Sequence, residues 1–243
     1  MPAERRLIAG LQPVREAIRV HGQQLERVLV DDRRLPRLDA VVRFATDQGV
    51  ARVDRVARSE LDRLSGGAQH QGVLAFGPAL EILEPHSLWT DPSLLAVALD
   101  GIQDPQNFGA VIRSATGIAG AAVLWGEHSS APLTAATFRA SAGAIEHARL
   151  ARARSLPGAL TQARAAGVQV VGLDAHAEQL LSAVDLTGPT VLVIGSEGEG
   201  MGRATRRGCS VLARLVSDSR LDSLNASVAA GIALYEAIRQ RSQ

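Results

Sequence analysis

Residues 94–99 read Leu-Leu-Ala-Val-Ala-Leu, a run without a single polar side chain. A strand that shows one face to water alternates apolar and polar residues. A strand that is apolar throughout is covered on both faces, which is the habit of parallel sheets flanked by helices. Runs at Ala121–Trp125, Val168–Leu173, Thr190–Ile194 and Val211–Leu215 are nearly as apolar. Helical spacing lies between them, with one helix expected over 108–118 and a long closing helix over Leu224–Arg239. The expected architecture is α/β, built on a largely parallel sheet over residues 93–243.

Residues 1–77 form a second, smaller α/β block. Helices are expected over 13–20, with Pro13 in a first turn, and over Leu35–Gln48, with Gly49 as its stop. Ser59 is placed to cap a short helix reaching Leu64. Arg27–Val30 and Gly72–Phe76 read as strands. Between the blocks, residues 78–92 carry Pro78, Pro85 and Pro92 without clear periodicity and read as a linker.

Composition excludes several classes. Nearly half of the 243 residues are apolar but only 3% are aromatic, so the core is built from Ala, Leu, Val and Ile. No apolar run approaches the length of a membrane span. No signal-peptide core follows the basic residues of the N-terminus, which suggests a cytoplasmic protein. One cysteine, Cys209, allows neither an internal disulfide nor a cysteine-based zinc site. The six histidines show no ligand spacing; His70 is the one with a chance of meeting a partner, and no metal is expected. The net charge of +1 does not by itself mark a nucleic-acid binder, although every basic residue is Arg, the side chain suited to phosphate.

Three segments carry chemistry. In the first, residues 99–115, a buried strand enters an Asp/Gly/Pro turn and then a helix. Ligand sites of open α/β sheets lie at such carboxyl ends. Asn107 sits near the helix start, where capping is the plain alternative to function. Arg113 falls among Ala110, Val111, Ile112 and Ala115, as either a snorkelling surface residue or a functional one. The second segment, Gly195-Ser196-Glu197-Gly198-Glu199-Gly200-Met201-Gly202, puts four glycines after a strand. The spacing is wrong for a dinucleotide loop, and its two carboxylates would repel phosphate, so a neutral or cationic ligand fits better. The third, residues 221–236, clusters Ser223, Asn225 and Ser227 at a helix start, more polar groups than capping needs.

Together, in this order and separation, the three segments resemble the SpoU (TrmH) family of SPOUT-class RNA ribose 2′-O-methyltransferases. The resemblance spans nearly the whole chain, and it is nearest to the bacterial enzymes that methylate a guanosine of 23S rRNA. It implies a C-terminal SPOUT domain with a deep trefoil knot, S-adenosylmethionine as cofactor, and a homodimer. Residues 1–77, with Gly10–Ala17 and the His70-Gln71-Gly72 turn, would be the family's L30e-like RNA-binding domain. Gly195, Leu215 and Leu224 would belong to the cofactor pocket. Asn107, Arg113, Glu197, Ser223 and Asn225 occupy the family's functional polar positions, with Arg113 as the proposed catalytic residue. One stretch departs from the family: Leu215-Val216-Ser217-Asp218-Ser219 lacks the usual Pro, Met and Gly. A tRNA substrate and a non-catalytic RNA-binding assembly factor remain as alternatives.

Overall fold

A computed structural model describes residues 5–127, 133–216 and 224–243. The chain forms two compact units, Met1–Leu80 with Ala142–His147, and Glu81–Ser141 with Ala148–Gln243.

The first unit contains β1 (Arg5–Ala9), α1 (Leu11–His21), β2 (Arg27–Asp31), α2 (Pro36–Asp47), β3 (Val53–Val56), α3 (Arg58–Ser65) and β4 (Val73–Pro78). Its sheet runs β1-β4-β2-β3; β4 is antiparallel to both neighbours, and β2 and β3 are parallel. Side chains alternate across a strand. Val28, Val30, Val73 and Ala75 accordingly meet α1 and α2 through Val14, Ile18, Leu38 and Val41. Leu29 and Leu74, on the other face, meet Leu61 of α3. β1 and β3 escape the sequence reading because Arg-Arg-Leu-Ile-Ala and Val-Asp-Arg-Val are half polar. Ser59 does not cap α3: Ala57 holds that position, and Ser59 lies inside the first turn.

His70 is buried at 4% exposure, which removes it from contact with RNA and makes it a turn-builder. Its Nδ1 accepts from the Gly72 N–H at 3.0 Å, so Nε2 carries the proton it donates to Asp62 Oδ1 at 2.8 Å. Gln71 Oε1 accepts from the Leu11 N–H at 3.0 Å and so serves the first turn of α1.

Residues 142–147 join this unit from far along the chain. Glu146 is buried, and its carboxylate accepts from both terminal nitrogens of Arg6 and from His21 Nε2 at 2.9 Å. His147 Nε2 lies 2.9 Å from Glu16 Oε2. Gly143, at φ +89°, has no space for a Cβ, which would stand 2.8 Å from Glu16 Cγ. His21 and His147 therefore have fixed carboxylate partners.

The second unit contains β5 (Ile82–Leu83), β6 (Leu95–Asp100), α4 (Pro105–Ser114), β7 (Ala122–Gly126), α5 (Ala135–Ser141), β8 (Leu150–Ala153), α6 (Leu156–Ala165), β9 (Gln169–Leu173), β10 (Thr190–Gly195), α7 (Arg203–Gly208), β11 (Val211–Ala213) and α8 (Ala226–Arg241). Its seven strands run β11-β9-β10-β6-β7-β8-β5, and every pairing is parallel. The apolar runs thus form the parallel sheet expected of them. Residues 78–92 hold β5, and their Leu88 and Trp89 pack into the core of this unit. Where α4 meets α5, a Cβ on Gly109 would lie 2.5 Å from that of Ala140, so only glycine permits the approach. Phe108 meets Trp125 edge-on, with ring centroids 5.4 Å apart. α8 buries Leu234 and the small side chains Ala226, Ala230, Ala233 and Ala237, which let the helix pack closely. At the far end of α8, Arg241 donates to the carbonyls of Leu186, Ser93, Leu94 and Gly188.

Candidate active site

The loops leaving the carboxyl ends of β6, β9, β10 and β11 build the site, as expected for a parallel sheet. After β10 the chain doubles back at once: Ser196 and Gly200 exchange backbone hydrogen bonds of 3.1 and 3.0 Å. A Cβ on Gly195 would stand 2.2 Å from the Gly200 carbonyl carbon, so this fold-back requires glycine there. Gly198 turns the loop at φ +89°. Across the sheet, Asp100 Oδ2 accepts from the Gly202 N–H at 2.8 Å and ties this loop to the end of β6.

That fold-back presents Glu197. Its Oε1 accepts from Asn107 Nδ2 at 2.9 Å, from Asn225 Nδ2 at 2.6 Å and from the Ala226 N–H at 3.3 Å. Asn225 Nδ2 also donates to Asn107 Oδ1 at 3.0 Å. Asn107, Glu197 and Asn225, from three separate segments, therefore meet on one oxygen.

The two asparagines arrive by different routes. Asn107 is no cap: Asp104 caps α4, accepting from the Gln106 N–H, and Pro105 takes the first helical position. With that role filled, the side chain of Asn107 is free for the Glu197 contact. Asn225 is the N-cap of α8, its Oδ1 accepting from the N–H groups of Ser227 and Val228 at 2.9 and 3.2 Å. Capping fixes which end of the amide is oxygen. The Nδ2 group must then face Glu197, so one residue starts the helix and completes the cluster.

Arg113 is exposed on α4, and among the described residues no hydrogen-bond or ion-pair partner holds it. It is not drawn into the Glu197 cluster. Ser223 lies outside the described residues, as do residues 217–219 of the stretch that departs from the family.

Beside the cluster a cavity of about 280 Å³ opens between these loops. Gly195, Leu215 and Leu224 all line it, with Ile194, Met201 and Leu173 adding apolar wall. Its charged side chains are Asp174, Glu199 and Arg206, an acid-rich set. Asp174 and His176 escape the sequence reading; their one signal is that Asp174 follows directly on a strand. Cys209 packs against the core of this unit, and burial pushes its thiol up to about 11. Among the described residues no group of His, Cys, Asp and Glu is placed to hold a metal ion, and no helix is long and apolar enough to cross a membrane.

A parallel α/β unit with a glycine-walled cavity at its strand ends, joined to a smaller α/β unit, defines a class that comparisons with known proteins specify. Residues 94–235 match the SpoU rRNA Methylase family, and residues 7–83 match the RNA 2′-O ribose methyltransferase substrate binding family. An uncharacterized tRNA/rRNA methyltransferase of Mycolicibacterium vanbaalenii is 40% identical over 97% of this chain and 76% of its own length. The SpoU methyltransferase AviRb of Streptomyces viridochromogenes, solved with AdoMet, is 28% identical with a TM-score of 0.77, over 98% of this chain and 91% of that one. An AdoMet-bound rRNA methyltransferase of Sinorhizobium meliloti is 26% identical with a TM-score of 0.78, over 97% of this chain and 87% of that one. The chain belongs to the SpoU family of RNA 2′-O-methyltransferases, whose cofactor is S-adenosylmethionine.

The cavity suits that cofactor. Its apolar wall matches an adenosyl group, its carboxylates a sulfonium and an ammonium, and Gly195 brings backbone where a side chain would fill the space.

Proposed function

We propose that this chain methylates a guanosine ribose of 23S rRNA in the cytoplasm, acting as a homodimer. The observation that carries the catalytic part is the Glu197 cluster beside the glycine-walled cavity. Its polar groups are held by one another and need no buried counter-charge, which suits a site that must face a ligand.

When bound, S-adenosylmethionine supplies a methyl group on a positively charged sulfur. The ribose 2′-oxygen would take that methyl group as the C–S bond breaks, leaving the neutral thioether S-adenosylhomocysteine, and the hydroxyl proton would pass to water. The protein's task is alignment and charge stabilisation. Glu197 and Asn225 fix Asn107, whose second amide N–H is left to orient the ribose. A guanidinium is a poor base in water. Arg113, exposed and without a described partner, supplies positive charge for the oxygen as it develops negative character, or for the phosphate next to it. Ser223 would assist in holding that phosphate.

The dimer is supported by α8, which exposes Val228, Ile232 and Tyr235 along one stripe, with Ile118 nearby in sequence to α4. Apolar stripes of this kind on a soluble enzyme are covered by a partner. The trefoil knot belongs to the same reading. Residues 1–77 would be the L30e-like domain that selects the RNA, and 78–92 the connection to the catalytic domain of 93–243.

The test is methyl transfer from labelled cofactor to 23S rRNA and to tRNA, followed by mapping of 2′-O-methyl sites. Arg113→Ala is expected to abolish transfer while cofactor binding persists. Near-normal turnover by that variant would remove Arg113 from the mechanism. Methylation of tRNA alone would replace the rRNA assignment.

A further inference from the structure

The cavity has a polar wall of its own, apart from the Glu197 cluster, whose side chains do not line it. Asp174, directly after β9, and Arg206 of α7 both line it and form an ion pair with each other. Asp174 is rigidly set. Its side chain is only 10% exposed, Oδ1 accepts from the His176 N–H at 2.8 Å, and its own N–H donates to the Ala213 carbonyl at 3.0 Å. Arg206 differs, with a side chain 48% exposed. Asp174 is the only side-chain partner that the described residues give it, so most of its N–H donors are uncommitted.

An ion pair facing a cavity shows one positive and one negative group side by side. The ligand part that answers both is a zwitterion. S-adenosylmethionine carries one, the ammonium and carboxylate of its amino-acid end, and its remaining bulk is an adenosyl group suited to Leu173, Ile194, Met201 and Leu224. An RNA phosphate answers only Arg206 and would be repelled by Asp174 and Glu199. We propose that Asp174 and Arg206 form the subsite for the amino-acid end of the cofactor: the ammonium donates to the Asp174 carboxylate, and the carboxylate accepts from the open side of the Arg206 guanidinium. Such a carboxylate–guanidinium contact can be bidentate, which adds direction to charge. This rests on the reading of the cavity as the cofactor site.

The test is calorimetry on the whole 243-residue chain with two probes, S-adenosylhomocysteine and 5′-methylthioadenosine. The second lacks the amino-acid end. Wild-type protein is expected to prefer S-adenosylhomocysteine by about tenfold or more, the scale of one well-made ionic contact. Arg206→Gln and Asp174→Asn are each expected to erase most of that preference, while 5′-methylthioadenosine affinity stays within about twofold. That unchanged affinity also reports that the pocket has kept its shape; Arg206→Lys should recover part of the preference, because it restores charge without the fork. Equal loss for both probes would make the pair a scaffold contact and overturn the proposal. So would an undiminished preference, or a loss confined to RNA binding. Wild-type protein that binds neither probe would overturn the cofactor-site reading itself.

Discussion

Two carboxylates organise this chain, and they do so in opposite ways. Glu146 is buried, and its partners are the Arg6 guanidinium and the His21 imidazole. Glu197 lies at the surface, and its partners are two side-chain amides and one backbone N–H. The first arrangement cancels charge and leaves nothing to offer a ligand. The second keeps the charge and uses hydrogen bonds for orientation. Burial with opposite charge marks a carboxylate that holds the fold. Exposure with neutral, cross-braced donors marks one that holds a site.

Removing each carboxylate should therefore break a different property. Glu197→Ala takes away the shared acceptor of Asn107 and Asn225. Methyl transfer is expected to fall by about 10²–10³-fold, the scale seen when one positioned polar group is lost from an active site. Thermal stability should move little, because the group is exposed. A steady-state assay with a melting curve separates the two readouts, and a large stability loss would put Glu197 with Glu146 instead. Glu146→Ala reverses the pattern. Arg6, only 15% exposed, loses the carboxylate that both its terminal nitrogens meet, and removing one partner of a buried pair costs about 3–5 kcal/mol. Denaturant unfolding should show that loss, and an unchanged midpoint would contradict it.

Asn225 sharpens the contrast, because it performs both tasks. Asn225→Ser keeps an oxygen able to cap α8 and deletes the Nδ2 group that faces Glu197. Stability should change by less than about 0.5 kcal/mol, since serine and asparagine cap almost equally well. Turnover should fall by about tenfold, the loss of one hydrogen bond of about 1.4 kcal/mol. If Asn225→Ser lowered stability and turnover together, capping would be the whole of its role.

These features are unequally legible in the sequence. Strands buried on both faces are plain, because an unbroken apolar run of five or six residues between helical stretches suits little besides a covered strand. β8 is not: Leu-Ala-Arg-Ala is short and broken by the exposed Arg152. β5, at two residues, is too short to carry any pattern. Asn107, Glu197 and Asn225 can be nominated through family likeness, but their convergence cannot, since the partners lie 90 and 118 residues from Asn107. Residues 142–147 give no sign that they belong with the first unit. What puts them there is one buried carboxylate and a glycine at positive φ, and neither has a pattern in sequence. The Asp174–Arg206 pair is hidden for a similar reason: one residue follows β9, the other lies on α7, and nothing in the sequence brings the two together.

The smallest expected effect, and the one most particular to the buried carboxylate, is its response to acid. Burial alone would raise the Glu146 pKa. The hydrogen bonds from His21 and Arg6, with their charges, outweigh burial and hold it below the ordinary glutamate value of 4.5. A carboxyl depressed in the native state binds its proton more readily once unfolded. Its contribution is thus fully present above the unfolded value near 4.5 and is lost as pH falls through the lower native value. Glu16, Asp31 and Asp54 are depressed as well, so the wild-type curve alone sums several groups. Glu146→Gln isolates one of them, since glutamine keeps an acceptor for Arg6 but cannot titrate. The stability difference between wild type and Glu146→Gln should be constant from neutral pH down to about 5 and shrink below it. A difference that held constant to about pH 3 would mean that Glu146 titrates alike in the folded and unfolded chain, and the contrast with Glu197 would then rest on geometry alone.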